Sequence, residues 1–372
     1  MDTDPGWLAL SLVSGVGAKT FHRLIRRFGS PENVFKAPRR HLEQVPGLTK
    51  RTIDAIRSFP REEAAAKEMA RLSGLDIHVV RWGAKEYPDY LANIADPPAL
   101  IYVKGNLIQE DERAVAVVGA RRASAYGLAV CKKLTRDLAW QGWTVVSGMA
   151  RGIDSAAHQG ALAGGGRTLA VLGTGLDVIY PAENNELYHR IAASGAVISE
   201  FALGTPPEPG NFPVRNRLIS GLALGVVVVE ATAKSGSLIT ARLALEQGRQ
   251  VFAVPGPVDR QGVAGPHRLI KEGAKLVERA EDIVEELLPM VSHRPEVGMV
   301  ETEATLPGPD PILDENEQKV WDILGMEPLH MDDIARQLDF SLPQTAEHLL
   351  RLEIKGLVKQ LPGTFFVRDF SD

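Results

Sequence analysis

The sequence predicts an α/β protein whose middle is a doubly wound, mainly parallel sheet, with a small helical domain ahead of it and a winged helix behind. Three observations carry that expectation. From about residue 76 to 290, short β-branched runs ("IHVV", "VAVVG", "TVVSG", "TLAVLG", "AVISE", "VVVVE", "VFAVPG") alternate with helical stretches such as "LAVCKKLTRDLAWQG", the pattern of parallel strands joined by covering helices. Ahead of them, "WLALSLVSGVGAKTFHRLIRRFGSPENVFKA" and "RHLEQVPGLTKRTIDAIRSF" each set a Gly-containing hairpin before a helical periodicity. At the far end, "ENEQKVWDILG", "MDDIARQLD" and "LPQTAEHLLRLEIKGL" read as three helices and "VKQLPGTFFVR" as a strand hairpin, the order of a winged helix-turn-helix.

Size and composition agree with that division. A chain of 372 residues with 44% hydrophobic and 24% charged side chains has room for two or three domains with real cores. The single cysteine, Cys131, forms no intrachain disulfide and falls on the apolar stripe Leu128, Cys131, Leu134, Leu138, so it reads as a packing residue in a reducing compartment. The opening "MDTDPGWLAL" lacks a basic segment followed by an apolar one, and no run approaches the roughly 18 apolar residues of a membrane span. A cytoplasmic location without membrane attachment is the expectation.

The formal net charge of −5 is unevenly spread: residues 1–60 carry ten Lys/Arg against five Asp/Glu, and residues 314–372 carry six against twelve. Local cation clusters, not the total, govern phosphate contact. In the first region, 1–75, which reads as helix-hairpin-helix-like or SAM-like, hairpin glycines would let backbone N–H groups approach phosphates. Lys19, Arg23, Arg26, Arg27, Lys50 and Arg51 would add charge to that face. A solvated basic surface on a protein-interaction module explains the same residues. The Pro/Gly-rich, aperiodic stretch 291–313 reads as a linker, leaving 314–372 as the winged-helix domain. Its third helix offers Gln344, Thr345, His348 and Arg351 beside Glu347, and the acidity of the domain favours protein contact over sequence-specific base readout.

In a doubly wound domain, here 76–290, the loops beyond the carboxyl ends of the strands form the ligand crevice. These are "GARRAS" (119–124), "SGMARGID" (147–154), "GTGLDVIYP" (173–181), "SEFALG" (199–204), "EATAKSGS" (230–237) and "PGPVD" (255–259), with a separate helix start, "FPVRNR" (212–217). The fold would gather Arg121, Arg122, Arg151, Arg215, Arg217 and Lys234 from distant stretches along one edge. Helix N-termini attract phosphate where the approaching backbone is thin. In "SGMARGID" the glycines supply thinness, Arg151 a forked donor, and Asp154 an N-cap; in "KSGS" the small Ser235, Gly236 and Ser237 repeat the device. A tight turn and cap without ligand is the plain reading of either motif alone.

The dinucleotide fingerprint G-x-G-x-x-G is absent from "GARRASAYG", no Gly-Lys dipeptide exists for a P-loop, and G-x-S-x-G, H-E-x-x-H and Cys-based metal spacings are missing. No cofactor or metal is expected. Arginines spread over several loops suit a polymeric anion, and a groove that follows a sugar–phosphate backbone binds single strands with little sequence preference. Phe201 and Phe212 are placed to stack on bases, although packing explains either. A hydrolytic reading would use Asp154 and His158, four apart on one helical face, with Glu200 and Glu230 at strand ends. Against it, His158 reads as a packing residue and Glu230 as a partner of Arg217 or another crevice arginine.

The ordered set "VAVVGARRASAYG", "VVSGMARGIDSAAHQGAL", "TLAVLGTGLDVIYPAEN", "FPVRNRLISGL" and "VVVVEATAKSGSLITARLALEQGRQVFAVPG" resembles the successive motifs of the DNA processing protein A family (DprA, also called Smf), strongly over about 110–260 and more weakly in the flanking modules. The resemblance implies a Rossmann-like core and a cytoplasmic bacterial protein of natural transformation. Such a protein binds incoming single-stranded DNA, protects it and helps load the RecA recombinase, without catalysis. It also implies a homodimer formed through the later part of the Rossmann-like domain, on the surface associated with RecA contact. Carried over by motif, the DNA pocket falls on Gly119 and Arg121; Ser147, Gly148, Arg151 and Gly152; Arg215, Asn216 and Arg217; and Lys234, Ser235, Gly236 and Ser237. Ala120 departs from the family's usual G-S-R, removing a hydroxyl contact.

Two other readings remain open at this level. Nucleoside-monophosphate phosphoribohydrolases share the Rossmann-like core, but their P-G-G-x-G-T-x-x-E signature is replaced by "SGSLITARLALE", which leaves Glu246 about two turns into a helix. A winged-helix regulator that senses a nucleotide is the third.

Overall fold

The computed structural model describes residues 4–292, 314–325, 329–354, 357–361 and 364–368. The chain divides into two compact units, 1–294 and 295–372. The stretch expected to be a linker lies outside the described residues except for its first two, which close the helix Glu281–Ser292.

Among the described residues of the first unit, nine strands form one sheet: β1 (His78–Arg81), β2 (Leu100–Gly105), β3 (Ala114–Val118), β4 (Thr144–Ser147), β5 (Thr168–Val171), β6 (Ala196–Ser199), β7 (Gly225–Val228), β8 (Gln250–Ala253) and β9 (Lys275–Leu276). Their order is β1-β2-β6-β5-β4-β3-β7-β8-β9. From β6 through β9 every neighbouring pair is parallel, and β1 and β2 complete the edge in antiparallel register. Chain order therefore runs outward from β3 in one direction and restarts at β7 in the other, so the switch point lies between these two strands. The fold class is as the sequence predicts. Two strands escaped it, β2 and β9, and β1 is antiparallel to its neighbour.

The central strands are Val-rich and buried on both faces, as parallel strands between helical layers must be. One face packs under Leu218, Ile219, Ala241 and Ala244; the other packs under Cys131, Leu138, Ala157 and Ile283. Cys131 is fully buried, and desolvation pushes its thiol pKa up. Among the described residues, no helix is long and apolar enough to cross a membrane.

The N-terminal helices begin at Pro5–Ser11, capped by Asp4, and end with Arg61–Leu75. Their apolar positions (Leu8, Leu10, Phe21, Leu24, Ile53, Ile56) do not close on themselves. They join one cluster with Tyr102 of β2, Ala170 of β5, Leu172 just after β5, and Val197 of β6. A polar strap reinforces that seam: the buried Glu68 accepts from Leu203 N (3.0 Å) and from Arg71 (3.0 Å), while Arg71 reaches Asp177 at 2.9 Å.

In the second unit, helices Glu315–Ile323, Met331–Leu338 and Leu342–Ile354 pack with a three-stranded sheet around Val320, Ile334, Leu349, Leu352 and Phe366. An Asp314/Glu317 capping box starts the first helix. On the third helix Thr345 is buried, Gln344 caps the helix start at Ser341, and Arg351 pairs with Glu347 at 2.6 Å. His348 meets the Phe340 ring at 5.7 Å, so all four residues that sequence offered for base contact are engaged within the domain.

Glu68→Ala should lower stability by about 2 kcal/mol in urea unfolding, because it strands the buried Leu203 N–H and leaves Arg71 only Asp177 and the Leu203 carbonyl as partners. Glu68→Gln, which keeps an acceptor for Leu203, should lose less.

Candidate functional site

The loops after β3, β4, β5, β6 and β7 converge on a cleft of about 640 Å³ at the switch point. Its lining includes Gly119, Arg121, Arg215, Asn216 and Ser235–Ser237. A smaller recess of about 40 Å³ adjoins it, adds Gly148 and Arg151, and shares Arg121, Tyr180, Phe212 and Arg215.

One wall is aromatic and cationic. The guanidinium of Arg121, exposed on the loop after β3, lies 5.2 Å from the Phe212 ring centroid, and Tyr180 meets Phe212 at 5.8 Å in a tilted contact. The opposite wall is the start of the helix Ser237–Glu246. No side chain caps this helix, and the hydroxyls of Ser235 and Ser237 bond each other at 2.8 Å. In its first turn Leu238 N and Ile239 N donate to the carbonyls of Ser235 and Gly236, so this wall offers the serine hydroxyls and the partial positive charge of a helix start, not a row of free N–H groups.

The floor is built on Arg215, 4% exposed, whose Nη1 donates to the carbonyl oxygens of Gly148 (2.8 Å) and Val171. Burial lowers its pKa to about 10, with Asp154 opposing the shift. Asp154 is pushed up to about 6, chiefly by desolvation, with Arg215 holding it back. Gly148 sits between them: a Cβ there would lie 2.7 Å from both Arg215 Nη1 and Asp154 Oδ2. Only glycine permits that sandwich.

Several residues take other roles than sequence assigned. Asp154 does not cap its helix; Gly152, at φ +76°, occupies the cap position, and Asp154 accepts from Ala150 N from within the first turn. A Cβ on Gly152 would lie 2.3 Å from Ala120 O, so this glycine lets two loops touch. Ser147 is buried, donating to Val117 O at 2.6 Å. Among the described residues Glu230 pairs with no arginine. It accepts from the backbone N–H (2.8 Å) and hydroxyl of Ser124, the residue that caps helix Ala125–Trp140, because β3 and β7 are neighbours.

Arg217 leaves the principal cleft. It points to the other side of the helix Asn211–Gly221, where its Nη2 bonds Glu200 and its Nε lies 3.4 Å from Asp96; burial raises Glu200 to about 7. Arg217 and Phe201 line a second cleft, of about 450 Å³, with residues of the N-terminal helices such as Ala18 and Phe21. Lys234 lines a neighbouring depression with Arg242. Arg151 is exposed and forks onto Glu183, with Nη2 2.7 Å from Oε2. His158 is fully buried, its Nδ1 bonded to Thr168 Oγ1 at 2.7 Å, and desolvation drops it to about 3. Glu246 closes its helix at the end away from the cleft, about 13 Å along the axis. Tyr180 was not predicted as a site residue; a lone tyrosine in the loop 173–181 carries no sequence signal for it.

The family model for DNA recombination-mediator protein A matches residues 78–288, more than half of the chain. The chain belongs to that family. Models of a DprA-like N-terminal HHH domain and a DprA winged helix domain match 2–70 and 304–364. As a member, the chain is 39% identical over 333 residues to protein Smf of Escherichia coli K12, covering 87% of this chain and 85% of that one. It is 44% identical to DNA processing protein DprA of Bacillus subtilis over 62% of this chain and 75% of that one. The solved structure of DNA processing protein A from Streptococcus pneumoniae superposes with a TM-score of 0.65 at 36% identity, covering 77% of this chain and 99% of that one. That of the Helicobacter pylori protein, reported for its single-stranded DNA binding mode, gives 0.52 at 29%, covering 57% and 96%.

Gly148→Ala should cost about 2 kcal/mol of unfolding free energy, since the methyl must displace a buried guanidinium. Ser124→Ala should cost about 1 kcal/mol through the lost cap. Equilibrium urea denaturation checks both.

Proposed function

We propose that the switch-point cleft holds the backbone of single-stranded DNA, and that the chain acts in natural transformation by protecting that strand and helping to load RecA. The observation that carries this reading is Arg121 lying over Phe212, beside Tyr180, across from an uncapped helix start. A cation and two aromatic rings on one wall suit alternating phosphates and unpaired bases, and duplex DNA has no free base face to offer them. The neighbour from Helicobacter pylori, reported for its single-stranded DNA binding mode, supports the same ligand class.

In this reading Gly119, Arg121, Asn216 and Ser235–Ser237 touch the strand, with Gly148 and Arg151 at the adjoining recess. Arg215 acts from below, its Nη1 committed to two carbonyls, so it contributes charge and position. Arg151 keeps its Nη1 for a phosphate while Nε and Nη2 stay on Glu183. Binding, protection and hand-over involve no chemical turnover, and no cofactor takes part. We assign homodimer formation and RecA contact to the later part of the sheet domain and the setting to the bacterial cytoplasm, all on family resemblance.

Arg121→Ala should weaken binding of a dT 20-mer about tenfold in fluorescence anisotropy, the loss of one charge-assisted hydrogen bond. It should also flatten the slope of log affinity against log salt by about 0.7, the share of one phosphate contact on a single strand. Unchanged affinity in that variant would sink the assignment.

Asp154 sets a pH dependence. Its carboxyl, raised to about 6, is charged at pH 7 and repels phosphate; below pH 6 it is neutral. Bound DNA raises it further, so binding takes up a proton and affinity should rise as pH falls from 7 to 5. Asp154→Asn should bind more tightly at pH 7 and lose that dependence.

A further inference from the structure

The recess beside the principal cleft has two lips that come from separate loops. Gly148, Ala150 and Arg151 of the loop after β4 form one, and Tyr180 and Pro181 of the loop after β5 form the other. Within the first lip the backbone takes an uphill conformation at Met149. Its φ is +53°, in the left-handed region, although it carries a full side chain buried in the core shared with the N-terminal helices. A Cβ makes that conformation cost about as much as one hydrogen bond returns. The turn therefore needs a partner to hold it.

Asn184 supplies that partner, and the function proposed above gives it no role. It is buried and closes the short 3-10 turn Ala182–Asn184, four residues beyond Tyr180. Its Nδ2 donates one hydrogen to Met149 O (2.8 Å) and the other to Ser155 Oγ (2.9 Å), and Ser155 Oγ donates in turn to Ala150 O (2.7 Å). One side-chain amide thus ties two consecutive carbonyls of the β4 loop, the first directly and the second by relay. Arg151 is the next residue along, and it lines the recess. The Arg151–Glu183 pair also joins the two lips, but both side chains are more than half exposed, and an ion pair open to solvent fixes little. The buried amide is the firmer tie.

We infer that Asn184 is a positioning residue of the strand-binding site: its amide joins the two lips of the recess and keeps the turn that sets Arg151 where a phosphate meets it. This rests on the cleft holding DNA. Asn184 touches no strand itself and acts through the loop 148–152. Without its amide, Met149 O is buried and loses its donor. The turn then relaxes toward negative φ, which rotates the peptides that follow and carries Arg151 off the recess.

Full-length wild type, Asn184→Ala, Arg151→Ala, the double variant, Glu183→Gln and Arg121→Ala are compared for affinity to a dT 20-mer and, without DNA, for amide hydrogen exchange, with urea unfolding to show that each is folded. In Asn184→Ala the amides of 149–152 should exchange about tenfold faster, out of proportion to those of β4 and β5. Affinity should fall about fivefold in Asn184→Ala and about tenfold in Arg151→Ala, and the double variant should stay near tenfold, short of the roughly fiftyfold of independent effects. An asparagine with a merely structural role would weaken binding just as much in the absence of Arg151. Unchanged loop exchange or unchanged affinity in Asn184→Ala, a multiplicative double variant, or loosening by Glu183→Gln equal to that by Asn184→Ala overturns the inference. If Asn184→Ala does not fold, Ser155→Ala, which cuts only the relayed bond, takes its place under the same outcomes. A loss of affinity in Arg121→Ala with none in Asn184→Ala marks failure of this inference alone, whereas unchanged affinity in Arg121→Ala and Arg151→Ala alike marks failure of the DNA reading.

Discussion

The guanidinium of Arg215 has almost no contact with solvent, and a buried cation is tolerable only where fixed dipoles replace water. Here the carbonyls of Gly148 and Val171 do so, one just past the end of β4 and one at the end of β5. A single side chain therefore ties the helix Asn211–Gly221 to two strand ends of the sheet. Three further features of the cleft meet at that junction. Phe212 sits one turn earlier on the helix and carries Arg121 on its face. Gly148 must lack a side chain to let the guanidinium through. Asp154 stays partly charged because the cation faces it.

The same helix also acts as a partition. Phe212, Arg215, Asn216 and Ile219 look into the principal cleft, and Val214 and Arg217 look into the one beside the N-terminal helices. Two arginines from one short motif thus serve different surfaces. Each is stabilised differently, Arg215 by two backbone carbonyls with Asp154 facing it and Arg217 by direct ion pairs with Glu200 and Asp96.

Much of this was legible in the chain. Strand-to-loop boundaries at "VAVVG", "TVVSG" and "VVVVE" follow from β-branched runs that end in small residues, and once the sheet is parallel their loops must share an edge. The strand β2, "LIYVKG", hid because no long helix separates it from β1 and it runs antiparallel, outside the alternation that exposed the others. β9 is two exposed residues, too short for any periodic signal. The divergence of Arg215 and Arg217 is implicit in the sequence, since helical residues two apart point about 200° away from each other. The bond between Glu230 and Ser124 was not within reach, because it depends on β3 and β7 being neighbours across about a hundred residues of chain.

The N-terminal helices share an apolar core with β2, β5 and β6. They behave as a wall of the sheet domain, not as a bead on a string. Cutting the chain after Leu75 would bare Tyr102, Val197 and Leu172 to water, so a shortened version would have to recover that greasy face by clumping or by borrowing cover from elsewhere. Any change in this segment over evolutionary time is correspondingly constrained to keep its inner surface, whatever becomes of its outer one.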